Sequence, residues 1–290
     1  MPFESGPEGR FERRIFFTAR AWWQDIGNAL RFLTRLPLPR APAPAEPDFL
    51  DEAADLDVAE DEERAAPEMR PLGRAVRAFP LVGALLGIAA GFAFAIATAI
   101  GLPDLVAGVV AVAVLALMTG ALHEDGLADM ADGFGGGQTA EKKLAIMRDS
   151  RIGAYGVIAL VAVLAAKVGA LADLDDIGVV MSGLICAAAA SRATMPAMMR
   201  WLPAARQDGL GVGAGRPDAA HVWTGIAIAV LLAVLLLTWS GLVALIIGAL
   251  AAAAVGLLAR RQIGGHTGDV LGGTQQICEL VFLLALAAIR

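Results

Sequence analysis

Long apolar blocks, not a 3.6-residue stripe, dominate the chain from residue 79 onward. Seven of them lie at approximately 79–101, 104–122, 153–172, 178–199, 221–240, 241–259 and 269–289. A helix needs about 20 mostly apolar residues to cross a bilayer core. In lipid its backbone polar groups must be paired internally, which favours helices. A transmembrane β-barrel would show alternating segments of about 10 residues, and none occurs here. The pattern therefore predicts an all-α integral membrane protein, a polytopic bundle of about seven transmembrane helices. The fourth block is interrupted by Ser191, Arg192 and Pro196. The fifth and sixth are separated by little more than Ser240-Gly241 and predict a tight helical hairpin.

Before the blocks, residues 11–36 read as an amphipathic helix. Phe16, Phe17, Trp22, Trp23, Ile26, Leu30, Leu33 and Leu36 alternate with Arg13, Arg14, Arg20, Arg31 and Arg35. Such a helix suits either the headgroup region or the flank of the bundle, and Pro37 and Pro39 end it. Residues 40–69 are rich in Pro, Ala and acids and predict a disordered linker. The organisation expected is an N-terminal helix over 1–39, a linker over 40–70 and a membrane domain over 71–290. No cleavable signal peptide is expected.

Composition agrees, with 57% hydrophobic and 18% charged residues. The net charge of −6 is local in origin, because nine of the 29 acids fall between Asp48 and Glu63. The other 20 face 23 Lys and Arg, so the acidic balance says little about a substrate. Cys186 and Cys278 lie inside apolar blocks and predict packing, neither a disulfide framework nor a zinc site.

Charge also predicts orientation, since cytoplasmic loops carry the excess of Lys and Arg. With the arginine-rich N-terminus inside, the loops after blocks two, four and six are inside as well. They hold Lys142, Lys143, Arg148 and Arg151, then Arg200, Arg206 and Arg216, then Arg260 and Arg261. The opposite loops hold Asp104, Asp173, Asp175 and Asp176. The polar and glycine-rich clusters thus gather at the cytoplasmic face. That arrangement suits an enzyme fed from the cytoplasm better than a transporter, whose polar groups sit near the midplane.

The richest cluster is His123-Glu124-Asp125-Gly126-Leu127-Ala128-Asp129-Met130-Ala131-Asp132-Gly133. On a helix Asp125, Asp129 and Asp132 fall within an arc of about 60°. Three carboxylates so close repel unless a proton or cation offsets them. Hard oxygen ligands suit Mg²⁺ or Mn²⁺, so the three are candidate metal ligands. His123 and Glu124 point to other sides of the helix, towards supporting roles or substrate. Phe134-Gly135-Gly136-Gly137 reads as a flexible stretch able to wrap phosphates.

Arg148 and Arg151 flank Asp149 ahead of Gly153 and Gly156 and are candidates to anchor a pyrophosphate. Arg192 is costly in lipid and reads as functional. Lys167 and Glu279, inside blocks three and seven, are candidates to pair across the bundle. Asp269, between Gly264-Gly265 and Gly272-Gly273, reads as a helix N-terminal charge or a further metal or substrate group.

Taken together these segments resemble the cobalamin synthase family, the adenosylcobinamide-GDP ribazoletransferases. The resemblance rests on Arg31-Phe32-Leu33-Thr34-Arg35-Leu36-Pro37-Leu38-Pro39, Phe79-Pro80-Leu81-Val82-Gly83, His123 through Gly133, Ile146-Met147-Arg148-Asp149-Ser150-Arg151-Ile152-Gly153, Ser191-Arg192, and Thr267-Gly268-Asp269 with the last helix. Asp129-Met130-Ala131-Asp132-Gly133 also resembles a metal-binding fragment of the CDP-alcohol phosphotransferases, although the Ala-Arg pair of those enzymes does not follow Gly133.

The resemblance implies a Mg²⁺-dependent transferase of the inner membrane with its site facing the cytoplasm. It would join adenosylcobinamide-GDP to α-ribazole or α-ribazole 5′-phosphate and release GMP. Asp125, Asp129 and Asp132 would hold metal. Arg148, Arg151 and Arg192 would bind phosphate oxygens, with His123 and Asp269 at the substrate. A motif aspartate or Asp149 would take the hydroxyl proton. Besides the substrates and the lipid bilayer, candidate partners are a second copy of the chain and other cobamide-assembly enzymes; no nucleic acid is expected. The alternatives are a lipid-making CDP-alcohol phosphatidyltransferase and an ion-coupled transporter.

Overall fold

A computed structural model describes residues 7–37, 72–206 and 215–289. The acidic linker falls outside the described residues. The elements are α1 (Pro7–Leu33), α2 (Leu72–Ala75) with a 3-10 turn (Val76–Ala78), α3 (Phe79–Ala99), α4 (Asp104–Thr119), α5 (Leu122–Gly136), α6 (Ala140–Ile146), α7 (Ala154–Ala172), α8 (Ile177–Trp201), α9 (Ala219–Ile263) and α10 (Gly268–Ile289). Among the described residues the only β-type pairing is one bridge, between Ala204 and His266. The protein is an all-α polytopic membrane protein, as the apolar blocks imply.

Among the described residues five helical stretches are long and apolar enough to cross a membrane, and α4 with α5 makes a sixth if the bent pair is one span. The 45-residue α9 is not straight. Thr238 has φ 55°, ψ −128°, and a side chain at Gly241 would strike the Ala233 carbonyl. Residues eight apart touch only if the chain doubles back. α9 is therefore the expected hairpin, turning at Thr238 just before Ser240-Gly241, and counting its two arms separately gives seven candidate spans among the described residues when α4 with α5 is taken as one.

Small residues set how closely helices approach. Gly87 of α3 lies so near α8 that an added Cβ would sit 2.5 Å from Ile185 Cα. Gly83 and Gly91 share that face and meet Ala188 and Met181. Membrane helices pack through such small-residue stripes because lipid tails are as apolar as the side chains.

The C-terminal half of α1 packs on the bundle. Asp25 accepts from Arg77 Nε at 2.7 Å, Arg77 lies 3.9 Å over the Trp22 ring, and Phe32 stacks on Phe79. Trp23 points outward, 74% exposed, so this helix pairs a packed face with an open one.

The bend that places the acidic segment comes from two successive left-handed residues, Gly120 (φ 64°) and Ala121 (φ 56°). For Ala121 this costs of the order of 1–3 kcal/mol. α5 leaves α4 at 92°. The Arg35 amide donates to the Met118 carbonyl at 2.9 Å, so the segment after α1 braces the bend.

Candidate active site

The acidic segment is helical throughout, but its three aspartates differ in surroundings. Asp125 is exposed, Asp129 half-buried and Asp132 buried. Asp132 accepts from the amides of Gly153 at 2.7 Å and Gly156 at 2.9 Å. These are unpaired donors at the start of α7, where a carboxylate is favoured. Asp132 thus ties α5 to α7, and both of its oxygens are engaged.

Asp125 and Asp129 instead face the last helix. A Cβ on Gly126 would sit 2.9 Å from the Asp269 carbonyl oxygen, and one on Gly272 3.3 Å from His123 Cα. Only glycines allow these backbones so close, and that approach brings Asp269, in the first turn of α10, beside the α5 aspartates. Asp129 lies in the field of Asp125, Asp269 and Asp132, with Arg206 as the opposing charge.

Arg206 donates from Nη2 to Asp269 Oδ2 at 2.7 Å, and Thr267 Oγ1 donates to the same oxygen at 3.1 Å. Arg206 is held there by the bridge between chain segments. The Ala205 amide donates to the His266 carbonyl and the His266 amide to the Pro203 carbonyl, both at 2.9 Å. Sequence reasoning missed Arg206 as a site residue. Its only signal was a positive charge in a basic loop, which membrane orientation already explains.

Among the described residues no group of three or more His, Cys, Asp or Glu is arranged to hold a metal ion. Mg²⁺ does not require such a group, since it keeps several waters and takes one or two carboxylates plus substrate phosphate. Asp125, Asp129 and Asp269 are carboxylates that lie in one another's field here.

Asp149 and Arg151 turn to each other. Arg151 donates from Nε at 3.1 Å and Nη2 at 2.8 Å, and its amide donates at 3.1 Å. These bonds hold the Asp149 carboxyl down at about 2. Arg148 is exposed on the same loop. Lys143 is structural, donating to the Phe134 carbonyl at 3.1 Å near the end of α5.

One expectation is corrected. Phe134, Gly135 and Gly136 are not a flexible phosphate loop but the last turn of α5, because Gly135 is pressed against the Tyr155 ring, 2.7 Å from an added Cβ.

The structure does not bring Arg192 to the exposed carboxylates. It lies in a buried polar layer with Lys167, Ser191, Gln275, Gln276, Glu279, Glu124 and His123. Lys167 donates to Glu279 at 2.7 Å and to Gln276 at 2.6 Å. Glu279 also accepts from Gln275 at 2.7 Å, Ser191 at 3.3 Å and Arg192 at 3.4 Å. Gln276 passes the network to Glu124 at 3.0 Å. The expected Lys167–Glu279 pair is present, within a larger network. His123, 1% exposed, has neither ring nitrogen partnered, and Glu124 Oε2 and Arg192 Nε are unpartnered too.

Comparison with known proteins gives this arrangement a family. The family described as Cobalamin-5-phosphate synthase matches residues 25–287. The chain is 41% identical over 269 residues to the adenosylcobinamide-GDP ribazoletransferase of Azorhizobium caulinodans, covering 90% of this chain and 94% of the relative. It is 46% identical over 220 residues to that of Bradyrhizobium diazoefficiens, covering 76% and 85%. It is 42% identical over 272 residues to that of Rhizobium etli, covering 91% and 96%. No solved structure matches. The aspartate-bearing α5, the loop after it and the start of α10 all fall inside the matched region, and the chain belongs to the Cobalamin-5-phosphate synthase family.

Proposed function

We propose that this chain joins adenosylcobinamide-GDP to α-ribazole, or to its 5′-phosphate, with release of GMP, at the carboxylate face between α5 and α10. The relatives' shared name supports the reaction. The place is supported by one observation: Asp125, Asp129 and Asp269 stand together with Arg206 as their opposing charge.

Transfer between phosphate esters requires the phosphate charge to be offset and a hydroxyl to be held in line. One or two of Asp125, Asp129 and Asp269 would hold Mg²⁺, which when bound would offset negative charge on the pyrophosphate. Arg206 and Arg148 would meet phosphate oxygens. The ribazole hydroxyl attacks the phosphorus next to cobinamide, and GMP leaves. Asp149, held at about 2 by Arg151, is a poor proton acceptor near neutrality, which leaves the motif aspartates to receive the hydroxyl proton. Asp132 positions α7 and Arg192 supports His123 and Glu124 from behind. The basic loops around the site support a cytoplasmic orientation in the inner membrane.

Incubating the purified chain with both substrates, with and without Mg²⁺, and following GMP tests the proposal. GMP should form only with the metal, and Asp125→Asn should abolish it while membrane insertion stays intact. Near-normal GMP release by that variant would overturn the assignment.

A further inference from the structure

A cavity of about 510 Å³ lies between α8 and both arms of α9, away from the carboxylate face. Ala193, Ala197, Ala249 and Ala253 line its sides, with Cys278 of α10 also in its wall. Ala249 and Ala253 are exposed, so the cavity opens sideways to the bilayer. Its α8 wall runs from Ala190 to Leu202, about 18 Å at 1.5 Å per residue, close to one leaflet of a hydrocarbon core about 30 Å thick.

The chemistry changes at one end. Trp201 and Trp223 meet edge to face with centroids 5.7 Å apart, as paired indoles do at the level of lipid headgroups. Arg200 adjoins Trp201, and Arg216 donates to the Arg200 carbonyl at 2.9 Å. Arg260 lies one turn beyond Gly256, which lines the cavity, and is followed by Arg261. Among the described residues none of these four arginines is in an ion pair.

We infer that this cavity binds one anionic glycerophospholipid, an acyl chain between α8 and α9 and the phosphate on Arg200, Arg216 and Arg260. Hydrocarbon lining left bare forfeits dispersion contacts, so a chain fills it. Chain packing alone does not choose among lipids, since all tails are alike. The unpaired arginines make the choice, because basic residues at a bilayer surface favour anionic headgroups. The walls carry Ala190 and Cys278, each next in sequence to the buried-layer residues Ser191 and Glu279.

The test is native mass spectrometry of the full-length purified chain, titrated separately with dioleoylphosphatidylglycerol and dioleoylphosphatidylcholine. The wild type should retain one phosphatidylglycerol per chain and little phosphatidylcholine. Ala249→Phe with Ala253→Phe fills the cavity from exposed positions and should abolish retention. Arg200→Gln with Arg260→Gln leaves the cavity open and should weaken it, roughly fivefold for each charge removed. Equal retention of both lipids by the wild type, or unchanged retention by the arginine variant, overturns the inference. Because the readout is lipid retention, its failure leaves the proposed transfer reaction untouched.

Discussion

Two neighbouring residues of α5, Glu124 and Asp125, belong to opposite electrostatic worlds. Glu124 is buried in a layer where Lys167 and Arg192 face Glu124 and Glu279, so formal charges cancel. Asp125 opens onto a face where it, Asp129 and Asp269 have Arg206 as their partner, so negative charge is in excess. Burying charge is tolerable only when it is paired and hydrogen-bonded. Exposed carboxylates tolerate an excess because water solvates them. The buried layer is a neutral frame, and the exposed face carries the unbalanced charge on which the proposed function rests.

The comparison is broken most severely from the buried side. Glu279→Leu strands two buried cations and should cost about 3–5 kcal/mol, read as a lowered thermal midpoint in detergent. Replacing Lys167 by Met in the same chain should recover part of it. If Glu279→Leu unfolds like the wild type, the layer is not a frame. On the exposed side Asp125→Asn should lower GMP release by more than about a hundredfold with no shift in the midpoint. A matching fall in stability would show that the two regions are not separable.

Smaller effects sharpen the boundary. Arg206→Gln removes a charged hydrogen bond and a phosphate partner, and should raise KM for the GDP-bearing substrate roughly tenfold; steady-state kinetics decides it. Asp132→Ala exposes the start of α7 and should cost about 1 kcal/mol, like other lost helix caps, measured by thermal unfolding. Asp149→Asn should do least. A carboxyl depressed to about 2 contributes above its unfolded value and loses that only as pH falls through 2. The pH–rate profile between 5 and 9 should therefore be the same with or without it, and an altered profile would bring Asp149 back as the base.

How much of the site the sequence carried depends on the kind of contact. The spacing of Asp125, Asp129 and Asp132 was legible as one helical face. That Asp132 accepts from the start of α7 was not, because its partners, Gly153 and Gly156, are 21 and 24 residues away. Arg206 was illegible as a site residue for the same reason, since it reaches Asp269 across 63 residues. Gly135 read as loop because a glycine run has no local preference for helix; Tyr155 supplies what decides it.

By itself the sequence determined the helical membrane class, the hairpin in α9 and the acidic helix. Each follows from local rules: block length against bilayer thickness, and carboxylates at helical spacing. Only the tertiary structure decided which carboxylates are left exposed and which are tied into the frame. That choice turns on the 92° bend at Gly120-Ala121 and on the glycine contact between α5 and α10. Burial and pairing are properties of what a side chain meets, and the residues met here are far apart in the chain.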